Sequence, residues 1–580
     1  MSKRIQVIAL FPDDVLAGVE KFPWLLQEAD WICLTIDALS QCLQLKVGHA
    51  FIPEWIQAQG YASAPHKKNL QHQLKVLERA VIVKRQGLGF TDECYWNVQH
   101  NAMLIDILMS VQHSAQLAVQ HLDPQDEYLI LQRPDVGDYH HPSGLPAAIL
   151  NDQFKHHGFN VKLLFLPITQ LKVKSSPKAY GFVPDFWSSE MTEVWRKREA
   201  NVVVSPSGLF YEPDKLKLKS LISSLNAGPH VHVFQPPFWN VFHEAGLFKN
   251  TVSVQEAYHR LAQPMQSALM DMVNSTTQAL DGVFRMFLDS RTLELDFYQH
   301  QLQRLHERHF YQCLVFLGFS HLSAVRPMDA IIVSNLDGAI NGPLFSAAQE
   351  TKTACYVVPH SRVINHPTEA QCTVVTEYWQ PKPSQDFQGQ LNQMLYYPVE
   401  RLDDVHSKFS KPRKSKATLL FNGIHRCTNT KTSVNFIRNT LAHLEKIFTQ
   451  ANAQLVHRLK PGDQTPLDAY THLLDLDRVG CEAVMRQPID NFLQETELVI
   501  SLDEPSSAVW QAIEHGCGVL LITSHADFQS GLIDGDVLQT YSDQQAFTLL
   551  AQWLHEPALL MDFRRKQYKQ LVDRQQQRLP

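Results

Sequence analysis

Residues 498–523, LVISLDEPSSAVWQAIEHGCGVLLIT, constrain the fold of this chain more than any other stretch. Leu498, Val499 and Ile500 open one short apolar run and Val519 to Ile522 form another, each of the kind found in parallel strands covered on both faces. Between them Ala508, Trp510, Ala512 and Ile513 occupy a span with room for about two to three helical turns. A strand, a loop, a helix and a second strand are expected. Ser506 and Ser507 follow Pro505 where loop becomes helix, so the first helical N–H groups and one or both hydroxyls point the same way. Such a terminus attracts a phosphate through its open donors and the helix dipole, although a serine there can also serve only as a cap.

The same rhythm runs through the chain. Ile5–Phe11, Trp31–Ile36, Tyr128–Gln132, Val161–Leu166, Asn201–Val204 and Val231–Gln235 are short apolar runs separated by polar or helical segments, the alternation of an α/β protein. Residues 251–308 hold Gly282 and Pro264 as their only glycine and proline, which predicts one or two long helices. His306 and His309, in the HERHFYQ that closes this stretch, share a helix face, but no carboxylate or cysteine completes a metal-ligand spacing. They are expected at the surface or against a partner helix. From Cys313 the strand-like runs resume with CLVFLGF, DAIIVSN, ACYVVPH, CTVVTEYW and MLYYPVE.

Residues 401–416, RLDDVHSKFSKPRKSK, are polar and charged and contain Pro412, as a linker would be, and their basic cluster offers a second use at an anionic membrane surface. Beyond them a compact α/β domain is expected, with strands ATLLFN, AQLVHRLK, VGCEAV, LVISL, GVLLIT and VLQTY and closing helices between Gln544 and Arg578. The expected domains are 1–250, an N-terminal α/β region; 251–400, a helical segment with a Rossmann-like domain; the linker 401–416; and 417–580, a second Rossmann-like domain.

At 580 residues the chain exceeds one ordinary domain, and 44% hydrophobic against 19% charged residues argues for buried cores over disorder. A net charge of −7 gives no overall basic balance, so nucleic acid is not an expected partner. The nine cysteines stand singly with no CxxC pair, which fits a reducing compartment and neither a disulfide framework nor a structural zinc site. The opening MSKRIQVIALFPDD is expected to be a first strand and not a signal peptide, and no window approaches the roughly 18 apolar residues of a membrane helix. A cytoplasmic protein is expected, with peripheral contact at the inner membrane face as the further option.

Three strand ends in the last domain carry groups suited to an anion. One is Asn422-Gly423, followed by a polar loop with His425, Arg426 and Lys431; another is His457-Arg458-Leu459-Lys460-Pro461-Gly462; the third is the Ser506-Ser507 turn. In an open parallel sheet, ligands sit outside the carboxyl ends of the strands, so these loops are expected to line one crevice. Neither GxxxxGK[ST] nor GxGxxG occurs, which argues against a P-loop NTPase or a typical dinucleotide enzyme. The preceding domain offers a facing set: Asn335, Asp337 and Gly338 after one strand, and His360, Ser361 and Arg362 after another. An imidazole at a strand end can act as general base toward a hydroxyl, or bond only to backbone.

These residues together resemble the GT-B-fold glycosyltransferases, nearest the bacterial group that builds capsules, teichoic acids and other surface glycans and is related in fold to nucleotide-sugar 2-epimerases. The resemblance covers about residues 325–525 and rests on VVPHSR, HRLKP, SSAVWQA and HGCGVLLI. It implies an α/β fold of two Rossmann-like domains facing a cleft, here with an additional N-terminal α/β region. It further implies transfer of a sugar from a nucleotide-sugar donor to a hydroxyl on a glycan, lipid-linked or protein acceptor, without metal or other cofactor. By carry-over, Ser506 and Ser507 hold donor phosphate, Arg458 and Lys460 neutralise it, and Asn422 and Gly423 line the donor site. His360 is the first candidate base and Asp337 the second. Two departures stand out: Lys460-Pro461 where the family has His-Pro, and Gln511 where a glutamate commonly contacts ribose. Two alternatives stay open, a nucleotide-sugar epimerase or hydrolase and a degenerate, non-catalytic GT-B scaffold protein. The loop RPDVGDYHHPSG (133–144) and the aromatic QPPFWN (235–240) have no place in this scheme.

Overall fold

The computed structural model describes residues 5–58, 64–88, 98–132, 144–166, 200–204, 227–233, 261–325, 328–333, 341–357, 373–376, 393–396, 403–409, 417–421, 433–459, 467–502, 507–524 and 535–578. The strands form three separate sheets, each all-parallel in its described pairings. A parallel sheet needs helical crossovers that cover both of its faces, which is why the inner strands are short and mostly apolar.

The first unit comprises β1 (Ile5–Ala9), α1 (Pro12–Lys21), α2 (Leu25–Glu28), β2 (Ala29–Cys33), α3 (Ile36–Gln44), β3 (Ala50–Phe51), α4 (Glu54–Gln57), α5 (Ala64–Gly87), α6 (Val98–His121), β4 (Glu127–Gln132), α7 (Leu145–His156) and β5 (Asn160–Phe165). Its strand order is β3-β2-β1-β4-β5, so the winding reverses between β1 and β4. Side chains alternate along each strand. Ile8, Ile32, Tyr128 and Ile130 pack on one face with α5, α6 and α7. Val7, Trp31, Leu129 and Leu131 pack on the other with α1 and α3.

The second unit begins with β6 (Ala200–Val204) and β7 (Ala227–Val233), continues through α8 (Gln263–Phe287), α9 (Ser290–Leu293), α10 (Asp296–Val325), β8 (Ala330–Val333), α11 (Asn341–Glu350), β9 (Ala354–Val357), β10 (Thr373–Thr376) and β11 (Gln393–Tyr396), and is followed by α12 (Val405–Lys408). Its sheet runs β11-β10-β9-β8-β6-β7, so strands on both sides of residue 250 belong to one sheet, Val202 pairing with Ala330. CLVFLGF (313–319) is not a strand but the continuation of α10. Cys313, Leu314, Val315, Phe316 and Phe319 are all buried there. A helix enclosed on most sides is apolar all round, and its periodicity then no longer separates it from a strand.

The third unit holds β12 (Ala417–Phe421), α13 (Val434–Gln450), β13 (Leu455–Leu459), α14 (Leu467–Leu474), α15 (Arg478–Arg486), α16 (Ile489–Gln494), β14 (Leu498–Leu502), α17 (Ser507–Glu514), β15 (Gly518–Ile522), β16 (Thr540–Tyr541), α18 (Asp543–His555) and α19 (Pro557–Arg578). The order β13-β12-β14-β15-β16 reverses between β12 and β14. The expected strand VGCEAV is instead α15. Asp477 caps it, accepting from the Val479 and Gly480 N–H groups at 3.1 Å each, and Glu482 pairs with Arg478 and Arg486 four residues to either side. Only Cys481 of this helix is buried, so its apolar residues do not mark a buried strand.

Two joints tie the units together. α8 and α10 each place one half in the first core, with Val283, Phe284, Tyr298 and Leu305, and the other half in the second, with Met272, Val273, Phe316 and Phe319. The third unit docks on the first: Val434 and Ala469 are buried among Ile36, Leu39 and Cys42 of α3 and their neighbours. Gln44 donates to Asp468 at 3.1 Å and Arg438 to Gln57 at 2.8 Å across this joint. The described part of the expected linker, 403–409, is fastened to α19. Tyr568 donates to the Asp403 carbonyl at 3.0 Å, Lys408 lies over the Tyr568 ring, and Arg564 lies over the Phe409 ring.

Candidate functional site

The third sheet concentrates chemistry at one edge. Because β13, β12 and β14 are parallel and adjacent, the segments that begin at 422, 460 and 503 all leave from the same carboxyl edge. The first and third of these flank the point where the strand order reverses, the place at which a doubly wound sheet splits its crossovers to opposite faces and leaves a crevice. Asn422, Gly423, Lys460 and Ser506 lie outside the described residues, while Ser507 is the first residue of α17.

Ser501, which the sequence reading passed over, stands one residue before the end of β14 and is 1% exposed, and its Oγ has no hydrogen-bond partner among the described residues. A hydroxyl within an otherwise apolar strand was the available signal. It carries a cost unless something bonds to it.

Arg458 is also buried, and its guanidinium donates to the carbonyls of Val484 and, at 2.8 Å, Gln487, while lying 5.0 Å over the Phe492 ring. The cation thus satisfies the open carbonyls where α15 passes into α16. Burial lowers its pKa from the usual guanidinium value. The neighbouring His457 imidazole is likewise pushed down by burial and has Glu445 at 3.7 Å. Gln511, one turn into α17, donates to Asp490 at 2.6 Å, and the same carboxylate oxygen lies 3.0 Å from His515 Nε2. Gln511 is therefore part of a surface trio linking α16 to α17.

In the second sheet, β8 and β9 are parallel neighbours, so the segments that carry Asp337 and His360 leave it side by side at its carboxyl edge. Both residues lie outside the described residues, as do 133–143 and 235–240. His309 is buried in α10 beside Arg85 and Arg308. Among the described residues no group of three or more His, Cys, Asp or Glu is placed to hold a metal ion, and no helix is long and apolar enough to cross a membrane.

No family model matches the sequence, and no curated protein matches it significantly. Among solved structures, a glycosyltransferase from Rickettsia africae ESF-5 is similar at 10% identity and a TM-score of 0.31, over 65% of this chain and 93% of that one. UDP-GlcNAc 2-epimerase from Methanocaldococcus jannaschii is similar at 10% identity and a TM-score of 0.27, over 65% of this chain and 99% of that one. A trehalose 6-phosphate synthase from Burkholderia multivorans is similar at 11% identity and 0.30, over 65% and 95%. At such scores no shared fold or chemistry follows from the likeness.

Proposed function

We propose that the chain is a glycosyltransferase of GT-B type that moves a sugar from a nucleotide-sugar donor to a hydroxyl acceptor in surface glycan or glycoconjugate synthesis. The observation that carries this reading is the order reversal of the third sheet. The Asn422-Gly423 segment and the Ser506-Ser507 segment leave it on either side of the switch point, and the buried Ser501 hydroxyl stands at the same strand end. Donor phosphate would lie at the N-terminus of α17, held by Ser506 and Ser507 and by the helix dipole, with Lys460 as the counter-charge. Arg458 supports this role from behind, by holding the turn between α15 and α16. Gln511 Nε2 is engaged by Asp490, so its carbonyl oxygen would accept from a ribose hydroxyl.

The reaction is displacement at the anomeric carbon. The C–O bond to the nucleotide phosphate breaks, its charge is taken by fixed donors and Lys460, and the acceptor oxygen forms the new bond. His360 removes the acceptor proton, with Asp337 as the second candidate. A thermal-shift panel of CDP, CMP, UDP, UMP, GDP and TDP tests the proposal. A nucleotide at about 100 times its dissociation constant adds about 2.7 kcal/mol of stability. Ser507→Ala and Lys460→Ala should each weaken the nucleotide that binds. No shift with any of the six overturns the proposal, and unchanged affinity in both variants moves the donor site elsewhere. Turnover of the matching nucleotide sugar without acceptor would instead indicate an epimerase or hydrolase, and binding without turnover a scaffold.

A further inference from the structure

The first unit has a switch point of its own, between β1 and β4. β4 ends there at Gln132. Tyr128 and Ile130 point into the cluster that contains Leu145, Ala147, Ile149 and Phe154 of α7, while Leu129 and Leu131 point to the opposite face. Alternation therefore places Gln132 on the face covered by α5, α6 and α7, at the end of the sheet where α7 begins. The Gln132 side chain is 2% exposed, and its Oε1 has no hydrogen-bond partner among the described residues. An amide oxygen removed from water and left without a donor is destabilising, and a bound donor would remove that cost.

The start of α7 supplies the complementary half. This 12-residue helix has no side-chain cap, because its N-cap is Gly144. A Cβ at that position would lie 2.2 Å from Cε1 of the Phe297 ring, so Ser, Thr, Asn or Asp has no room there. Pro146 has no N–H, and the N–H groups of Leu145 and Ala147 find no acceptor among the described residues. Two open donors and the positive end of the helix dipole thus lie beside an aromatic ring, at the same end and on the same face of the sheet as the open amide oxygen.

We propose that this corner binds a small oxyanion that carries a hydroxyl next to its charge, namely a sugar phosphate or a sugar acid. The oxyanion would sit on the Leu145 and Ala147 N–H groups, its hydroxyl would donate to Gln132 Oε1, and Phe297 would flank the carbon skeleton. Neither Ser501 nor the α17 terminus takes part, so this site and the donor site stand or fall separately.

The test is a thermal-shift and calorimetric titration of the full chain with glucose 1-phosphate, gluconate and inorganic phosphate. At least one of the first two should bind, about tenfold or more tighter than inorganic phosphate. Gln132→Leu should leave the ligand-free chain folded and no less stable, since no bond is lost, and should weaken that ligand about tenfold or more. If Gln132→Leu does not fold by circular dichroism, Gln132→Asn, which keeps the amide but withdraws it, replaces it with the same expectation. Ser507→Ala should leave the affinity unchanged. The proposal is overturned if no probe binds the wild type, if the Gln132 variant binds as well as the wild type, or if Ser507→Ala abolishes binding.

Discussion

His309 shows how a residue's role can invert once its neighbours are known. On a helical wheel it pairs with His306 and suggests a metal, yet in α10 it is buried beside α5. Burial, reinforced by the Arg85 and Arg308 cations and opposed by Gln312, pushes its pKa down to about 3. In the unfolded chain the imidazole titrates near its ordinary value of about 6.5. The unfolded state therefore binds the extra proton first, and His309 makes stability fall as pH drops from about 6.5 toward 3, by up to about 1.4 kcal/mol per unit. His457, also lowered by burial, adds to this slope. His309→Gln should flatten the dependence by as much as one proton's worth. Urea midpoints at pH 7 and pH 5 give the slope, and an unchanged one would refute the assignment.

Among the elements, α17 and β15 were the best specified in advance, and one residue controls their junction. Gly516 has φ +77°, and the N–H groups of Gly516 and Cys517 return to the carbonyls of Ile513 at 2.7 Å and Ala512 at 2.9 Å. This left-handed turn ends the helix and lets the chain re-enter the sheet. Gly516→Ala should cost about 1–2 kcal/mol, read as a lowered urea midpoint with unchanged slope, because an L side chain is strained at that φ. An equal midpoint would show that the turn relaxes freely. Elements decided by electrostatics were harder to foresee: VGCEAV is strand-like in composition, but the Asp477 cap and the Arg478–Glu482–Arg486 ladder make it α15.

For the whole molecule, the first unit is the common partner. It shares α8 and α10 with the second unit and receives α13 and α14 of the third on α3. Val434 opens α13 and Ala469 lies in the first turn of α14, so the docked helices are those that follow the candidate-site segments beginning at 422 and 460. Ala469 is fully buried, and Ala469→Arg should separate the two units without unfolding either. Small-angle scattering should then report a larger radius of gyration at unchanged helical content. An unchanged radius would mean that this joint does not hold the arrangement.

Local pattern was sufficient for much of this protein. The apolar runs at Ile5, Trp31, Tyr128, Leu498 and Val519 each became a strand because a covered parallel strand needs apolar side chains on both faces, whatever lies around it. The same logic brought the segments at 422, 460 and 503 to one edge, since parallel strands end together. What local pattern did not contain was which strands pair. Only the tertiary structure assigned β6 and β7 to the second sheet, gave Arg458 to the carbonyls of Val484 and Gln487, and left Gln132 Oε1 and Ser501 Oγ without a hydrogen-bond partner among the described residues. Pairing, docking and hydrogen-bond satisfaction depend on residues far apart in the chain, and no window of sequence records their distance.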